Sequence, residues 1–415
     1  MYSGEDPLRT PVLSEVFSSL VPLCWKWSES VSKTECIPLS PRQGEIMGII
    51  LILANSSSGL YGFRNELVLD LLKEYEVYAS LPDDTNNKEL MEEGCKVTKT
   101  EFNRRGMNPA KDIKLFLTYL GYLKSIKPDA VLLYTIKPNL YGGLACRLRR
   151  VPYISNITGL GTTLQRDTLL SKFLLAFYRI STKKAKRVFF QNRSNLEFMQ
   201  EKGVAIKNAA LLPGSGVNLI ENAYQEYPSE ESGIQFLAVL RIMKDKGIEE
   251  FLTAAKSIHE KYPHCKFVLA GEYEAETKDK YKPWVDRLVE KGVLQYLGYI
   301  SNVKEVMAKS HVIVHPSYHE GLSNVLLEAA ACGRPVLATD VPGCRETLQN
   351  GITGDLFEAE NADALMAAIG KMLSYTGEKR RMMGKYGRKF VEDHFDRGIV
   401  VEKYRDELKK IQAGM

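Results

Sequence analysis

The sequence is poor in several features, and each absence excludes something. Its seven cysteines, Cys24, Cys36, Cys95, Cys146, Cys265, Cys332 and Cys344, are scattered and never stand in a CxxC spacing. An odd set without paired spacing argues against a disulfide framework and against a structural zinc. No apolar run reaches the eighteen or so residues that a bilayer-crossing helix needs, so the chain reads as not integral to a membrane. The loop after the first apolar run, Asn55 to Arg64, has Gly59 and Gly62 but no GxGxxG, and no acidic residue closes the second run. That combination excludes the dinucleotide fingerprint and, with it, hydride transfer. Residues 1–46 lack a cationic start followed by a continuous apolar stretch, which argues against a secretion signal. They show no clear periodicity, and Met47 stands just before the first convincing strand. We expect a weakly ordered N-terminal extension there, or a misassigned start.

What is present is ordinary in bulk and uneven in detail. At 44% hydrophobic and 26% charged, 415 residues long, the chain fits a soluble globular protein of two or three domains. Its net charge of +5 is too small for a nucleic-acid binder without a recognisable motif, so no nucleic-acid partner is expected. Residues 101–190, however, hold 17 Lys and Arg against 4 Asp and Glu, a bias too local for a general solubility device.

From Gly48 onward, short apolar runs alternate with helical patterns, which is the signature of βαβ units and a parallel sheet. The runs Gly48 to Ala54, Glu76 to Leu81, Ala130 to Thr135, Pro152 to Ile157 and Arg187 to Gln191 read as strands. Around Leu211 to Asn218 the pattern breaks, then restarts with Gln235 to Leu240, Lys266 to Ala270, His311 to His315 and Pro335 to Ala338. Two doubly wound α/β domains follow: 47–215 and 216–395, with a terminal helix in 396–415 placed to cross back to the first domain.

The block Glu320 to Asp340 carries the most chemistry. An apolar strand ending at His315 gives way to a polar turn, and a helix begins near Ser323. Free N–H groups at that helix start stand beside the carboxyl end of a parallel sheet, where an anion such as a diphosphate binds readily. Glu320 in the turn and Glu328 about two turns into the helix can border one pocket, because helical side chains lean back toward the N-terminus. Carboxylates beside a phosphate need hydroxyl donors, which points to ribose or sugar groups. Two solvated glutamates flanking a core helix is the blander alternative. Arg241 and Lys246, five positions apart after the strand Gln235 to Leu240, can both reach one diphosphate. In the first domain, Thr135-Ile136-Lys137-Pro138-Asn139 and Thr158-Gly159-Leu160-Gly161 follow neighbouring strands and open on the same face as the Gly59 loop. Arg104-Arg105-Gly106 joins them as a candidate anion clamp. Basic and aromatic residues interleave over Pro109 to Lys124 and over Leu169 to Arg187, fitting either an anionic membrane surface or core helices with solvated lysines.

With Glu320/Glu328, Arg241/Lys246 and the Pro213-Gly214-Ser215-Gly216-Val217-Asn218 boundary, residues 47 to 410 resemble glycosyltransferase family 4. The Ser58 to Arg64 and Thr135 to Asn139 segments are similar to those of bacterial enzymes of capsule, O-antigen or lipid-linked glycan synthesis. The resemblance implies a GT-B fold of two facing Rossmann-like domains, and transfer with retention from a nucleotide-sugar, UDP-sugar foremost, to a polyprenyl-diphosphate-linked or other glycan acceptor. It also implies work at the cytoplasmic face of the cell membrane, peripheral to it. By position, Arg241 and Lys246 would stabilise the leaving diphosphate, Glu320 would contact the donor sugar, and Glu328 would bind the ribose. Gly321, Leu322 and Ser323 would offer backbone donors, with Gly59 facing the donor. Arg105, Lys137, Asn139, Thr158 and Gly159 would face the acceptor. One departure is that many members carry a His where this chain has Ile136-Lys137. No DxD pair is present and two cations already face the diphosphate, so neither metal nor cofactor is implied. A nucleotide-sugar epimerase of the same fold, and a catalytically silent sugar-nucleotide-binding subunit, stay open as alternatives.

Overall fold

A computed structural model describes residues 46–82, 85–101, 108–160, 164, 167–204 and 207–414. All but one residue of the 1–46 extension therefore lie outside the described residues, as does Arg105.

Two parallel sheets organise the chain. The first domain runs β1 (Gly48–Leu53), α1 (Ser57–Leu71), β2 (Tyr75–Leu81), α2 (Asn87–Glu92), β3 (Lys96–Lys99), α3 (Pro109–Ile126) and β4 (Ala130–Tyr134). A π-helical turn, Pro138–Gly142, leads into α4 (Gly143–Arg149), then β5 (Tyr153–Ile157), α5 (Leu169–Thr182), β6 (Arg187–Phe190), α6 (Arg193–Glu201) and β7 (Ala209–Leu211). The second domain runs β8 (Gln235–Val239), α7 (Ile248–Lys261), β9 (Lys266–Ala270), α8 (Lys278–Glu290), β10 (Leu294–Tyr296), α9 (Val303–Lys309) and β11 (Val312–His315). It continues with α10 (Asn324–Ala331), β12 (Val336–Thr339), β13 (Gly354–Phe357), α11 (Ala362–Ser374) and α12 (Gly377–His394), and α13 (Arg397–Gln412) follows.

The strand orders are β3-β2-β1-β4-β5-β6-β7 and β10-β9-β8-β11-β12-β13. Each order reverses once, between β1 and β4 in the first sheet and between β8 and β11 in the second. In open α/β sheets the crevice beyond the carboxyl ends at such a reversal is where ligands bind. The loops after β1, β4, β8 and β11 therefore stand at the two reversals. The central strands are apolar throughout because helices cover both faces: β4 reads AVLLY and is buried along its whole length.

Local signals set the helix starts. Asn108 caps α3, accepting from the amides of Ala110 and Lys111, and Pro109 occupies the first turn. Ser56 caps α1 in the same way, so this helix begins at Ser57, inside the loop expected to run from Asn55 to Arg64. The expected glycine loop is thereby shortened, and Gly59 lies inside the first helical turn with its amide donating to Ser56 Oγ at 3.1 Å.

The last helix ties the two halves together. The Val217 amide donates to Phe395 O at 2.8 Å, and the Arg397 amide returns to Val217 O at 3.1 Å, so the two crossings between domains run side by side. From there α13 packs on the first domain, with Val400, Tyr404 and Leu408 sharing a core with Ile50, Ile52 and Val68. Burying three such side chains contributes roughly 4 to 9 kcal/mol as an upper bound. Arg405 Nη2 to Asp70 Oδ1 at 2.6 Å and Arg187 Nη2 to Glu407 Oε1 at 2.8 Å fix its register.

Candidate functional site

The loops after β8 and β11 are stitched together before any ligand is considered. Gly247 has φ +71°, and a Cβ there would stand 2.1 Å from the Pro316 carbonyl, so only glycine lets the two loops approach. The Tyr318 amide donates to Asp245 O at 3.0 Å across the same seam. This brings Lys246 Nζ to 2.6 Å from Glu320 Oε1 and 3.3 Å from Ser317 Oγ. His315, the last residue of β11 and almost fully buried, places Nε2 at 3.1 Å from the same Glu320 oxygen and 3.1 Å from Ser323 Oγ. Ser323 is also the N-cap of α10. Burial alone would raise the Glu320 carboxyl, but the hydrogen bond from His315 and the Lys246 charge overcome it and hold the group well below the usual carboxylate range. Glu320 is therefore an anion that is positioned and paired before a substrate arrives.

Glu328, farther along α10, is handled differently. It retains some accessible surface, yet burial pushes its carboxyl up to about 7 against the pull of Arg397 and Lys304, with Glu221 adding to the rise. Among the described residues it has no hydrogen-bond or ion-pair partner. A half-buried carboxylate without donors is a group waiting for hydroxyls.

Arg241 does not join the Lys246 cluster. Its guanidinium is half exposed and pairs with Glu274 Oε1 at 2.6 Å, so an incoming diphosphate must draw it away from that carboxylate. The backbone donors also need one correction. The Ser323 amide is already committed to Gly343 O at 2.8 Å. The amides of Gly321 and Leu322 donate to no protein acceptor among the described residues, while the Leu322 side chain is buried against Val217, Leu327 and Phe395.

Across the crevice the first domain meets this turn through backbone. A Cβ on Gly321 would fall 1.7 Å from Thr158 O and 2.6 Å from Gln191 Oε1, so glycine is required for the domains to touch here. Gly159 faces the same point, its added Cβ lying 3.8 Å from the Gly321 Cα. Asn192 Nδ2 donates to Gly321 O at 2.6 Å while its Oδ1 caps α6 through the Asn195 amide. His315 and Asn192 were both missed by sequence reasoning. The first could have been noticed as a titratable residue closing an apolar strand, whereas the second joins positions too far apart in sequence to leave a local sign.

The remaining candidates fall away from the acceptor surface to different degrees. Asn139 is fully buried and donates from Nδ2 to Asn156 O at 2.6 Å, so it braces the β4 and β5 turns instead of facing solvent. Lys137 Nζ pairs with Asp112 Oδ1 at 2.6 Å, both side chains mostly covered. Gly59, expected to face the donor and not the acceptor, sits in the first turn of α1. Beside them, Thr135 adopts φ +72°, a genuine outlier for a β-branched residue, and its Oγ1 is buried without a partner.

A family profile described as "Glycosyl transferases group 1" matches residues 220–390, and one described as "Glycosyl transferase 4-like" matches residues 49–192. The chain is 27% identical over 371 residues to a Campylobacter jejuni N,N'-diacetylbacillosaminyl-diphospho-undecaprenol alpha-1,3-N-acetylgalactosaminyltransferase, covering 85% of this chain and 96% of that one. It is 26% identical over 318 residues to an Escherichia coli UDP-Gal:alpha-D-GlcNAc-diphosphoundecaprenol alpha-1,3-galactosyltransferase, covering 73% and 80% respectively. Among solved structures, Anabaena Alr3699/HepE in complex with UDP-glucose superimposes with a TM-score of 0.71 at 17% identity, over 88% of this chain and all of that one. At that identity the likeness carries the fold, which is GT-B with the C-terminal helices crossing back to the first domain.

Proposed function

The chain belongs to the glycosyl transferases of group 1, and from that premise we propose that this enzyme moves a sugar from a UDP-sugar to a polyprenyl-diphosphate-linked acceptor, with retention at the anomeric carbon. The observation that carries the reading is the preformed Lys246–Glu320–His315 cluster below the two uncommitted amides of Gly321 and Leu322. A diphosphate placed there replaces Glu320 as the partner of Lys246, gains Arg241 from Glu274, and meets the start of α10. Charge that develops on the departing phosphate is then met by fixed donors, which need not reorganise at the moment of reaction. Glu320, released from Lys246 but still held by His315, turns to the donor sugar. Glu328 accepts the ribose hydroxyls. The leaving phosphate oxygen takes the acceptor proton on the same face, so no separate protein base is required.

The acceptor side of the reading rests on the first domain. The Campylobacter and Escherichia relatives are named for diphospho-undecaprenol acceptors, and we extend that acceptor class to this chain. No described helix is long and apolar enough to cross a membrane. Surface contact is instead supported by α3 and α5, where Ile113, Leu169 and Phe173 stand exposed among Lys111, Lys114 and Lys172.

A panel of nucleotide-sugars offered with membrane lipid extract, followed by mass measurement of the lipid product, tests the reading. It expects UDP released only when acceptor lipid is present, with one sugar mass added to the lipid. Interconverted nucleotide-sugar formed without acceptor would identify an epimerase instead. Because cations and helix amides already offset the diphosphate, EDTA is expected to leave the transfer rate unchanged.

A further inference from the structure

At the other end of the first domain lies a cavity that the transfer reaction does not use. It measures about 530 Å³ and opens between α4 and α5. Its walls include Arg150, Val151 and Pro152 just before β5, and Lys184 and Lys186 just before β6. The cavity therefore sits at the amino ends of the parallel strands, whereas the crevice lies at their carboxyl ends. A five-residue strand spans roughly 16 Å, so one ligand headgroup cannot occupy both places.

The lining has two chemistries. Leu144, Val151 and Ile180 form an apolar floor, and Arg147, Arg150 and Lys184 supply cations around it. Arg147 is held inward by donating from Nη1 to the Ile180 carbonyl. Arg150 and Lys184, with the adjoining Arg149 and Lys183, are exposed and have no acidic partner among the described residues. None is to be expected from the local sequence, since residues 143–187 contain a single acid, Asp167. Clustered cations without counter-ions repel one another, and an anion relieves that repulsion. Solvated surface lysines would need no apolar floor. The volume lies within the usual range of small-molecule pockets.

We propose that this cavity binds the phosphate headgroup of an anionic phospholipid, with the start of an acyl chain on its apolar floor. The lipid is favoured over a free anion by continuity with the outer face of α5. Leu169 and Phe173 stand one turn apart there, exposed at 87% and 50%, and the exposed Arg179, whose Nε donates to Lys202 O, and Lys183, just past the helix end, follow toward the cavity. Leu148, 56% exposed, stands at the cavity mouth. With α5 lying along the bilayer, the apolar pair enters the surface near the crevice and the cavity meets a headgroup at the far end. The inference rests on the reading that the first domain works at a membrane, and it adds a second, headgroup-specific point of attachment that fixes how the crevice is presented.

The test uses the full chain and its Arg150→Gln/Lys184→Gln variant, whose changed residues are exposed. Sedimentation with phosphatidylcholine vesicles containing phosphatidylglycerol should show roughly thirtyfold weaker binding for the variant, at about fivefold per lost cation. Calorimetry with water-soluble, short-chain phosphatidylglycerol should give saturable binding to the wild type that the variant loses, while transfer to a short, soluble acceptor stays unchanged. Equal vesicle binding by both proteins would overturn the headgroup site and leave the membrane reading standing. Wild-type protein that binds no vesicle would overturn both. Inorganic phosphate binding as tightly as the short-chain lipid would make the cavity a free-anion site and overturn the lipid assignment. A Leu169→Ser/Phe173→Ser variant separates the contributions, since it should lose vesicle binding yet keep the short-chain lipid.

Discussion

The two walls of the crevice are built on different principles. The second-domain wall is a set of paired side chains, with Lys246, Glu320, His315 and Ser323 joined by bonds of 2.6 to 3.1 Å and largely withdrawn from solvent. The first-domain wall is mostly backbone and small residues: the Thr158 carbonyl, Gly159, Asn192 and the strained Thr135. A diphosphate demands the same charges whichever sugar it carries, so its wall can be assembled in advance. An acceptor wall made of main chain and shape is set by how the loops are placed, and substitutions there change fit before they change chemistry.

The largest expected effect tests the side-chain wall. Lys246→Ala removes the cation that faces the leaving phosphate and leaves Glu320 held by His315 alone, so kcat is expected to fall by about 10² to 10³, measured as UDP released with saturating lipid acceptor. Gly321→Ala comes next and strikes the seam itself. Its Cβ would stand 1.7 Å from Thr158 O, forcing the domains apart, and displacements of that order cost up to about a hundredfold in turnover. The domains should still fold, so unchanged circular dichroism with lost transfer is the expected pattern.

A smaller effect follows from Glu328. Its folded value is raised from 4.5 to about 7, so the folded state binds the extra proton in that window. The group's contribution to stability is complete below pH 4.5 and is lost as pH rises through about 7. Glu328→Gln should flatten that part of the stability profile, read from urea midpoints. Ribose hydroxyls favour the ionised form, so UDP binding just below pH 7 should release protons, seen as a buffer-dependent heat that the variant lacks. The smallest effect belongs to the backbone wall. Thr135→Gly relieves the positive φ, offset in part by glycine's extra chain entropy, for a net gain of about 1 kcal/mol or less. The acceptor KM should rise while stability does.

Much of the second-domain wall was legible because its signals are local. A strand end, a polar turn, a capping serine and two glutamates fall within one short stretch, and Arg241 and Lys246 share one loop. What could not be read was pairing across the fold: that Arg241 rests on Glu274, that His315 closes the cluster, and that Asn192 reaches Gly321. The first-domain wall was legible only as turns. Asn139 lies in the right turn, but the π-helical backbone points its side chain into the core, a direction that spacing does not carry. The fold shows the same division. Buried central strands announce themselves as apolar runs, whereas β3, reading KVTK at the sheet edge, and the three-residue β7 and β10 are too short or too polar to stand out.

The contrast between the walls comes down to where the nucleotide is held, and one calorimetric series measures it: the affinity of UDP for the wild type, Lys246→Ala, Glu328→Gln and Thr135→Gly. Nucleotide held by the second domain predicts at least about a tenfold loss for each second-domain variant, from one charged hydrogen bond or more, and no change for Thr135→Gly. Equal losses for Thr135→Gly, or undiminished binding by Lys246→Ala and Glu328→Gln, would contradict it.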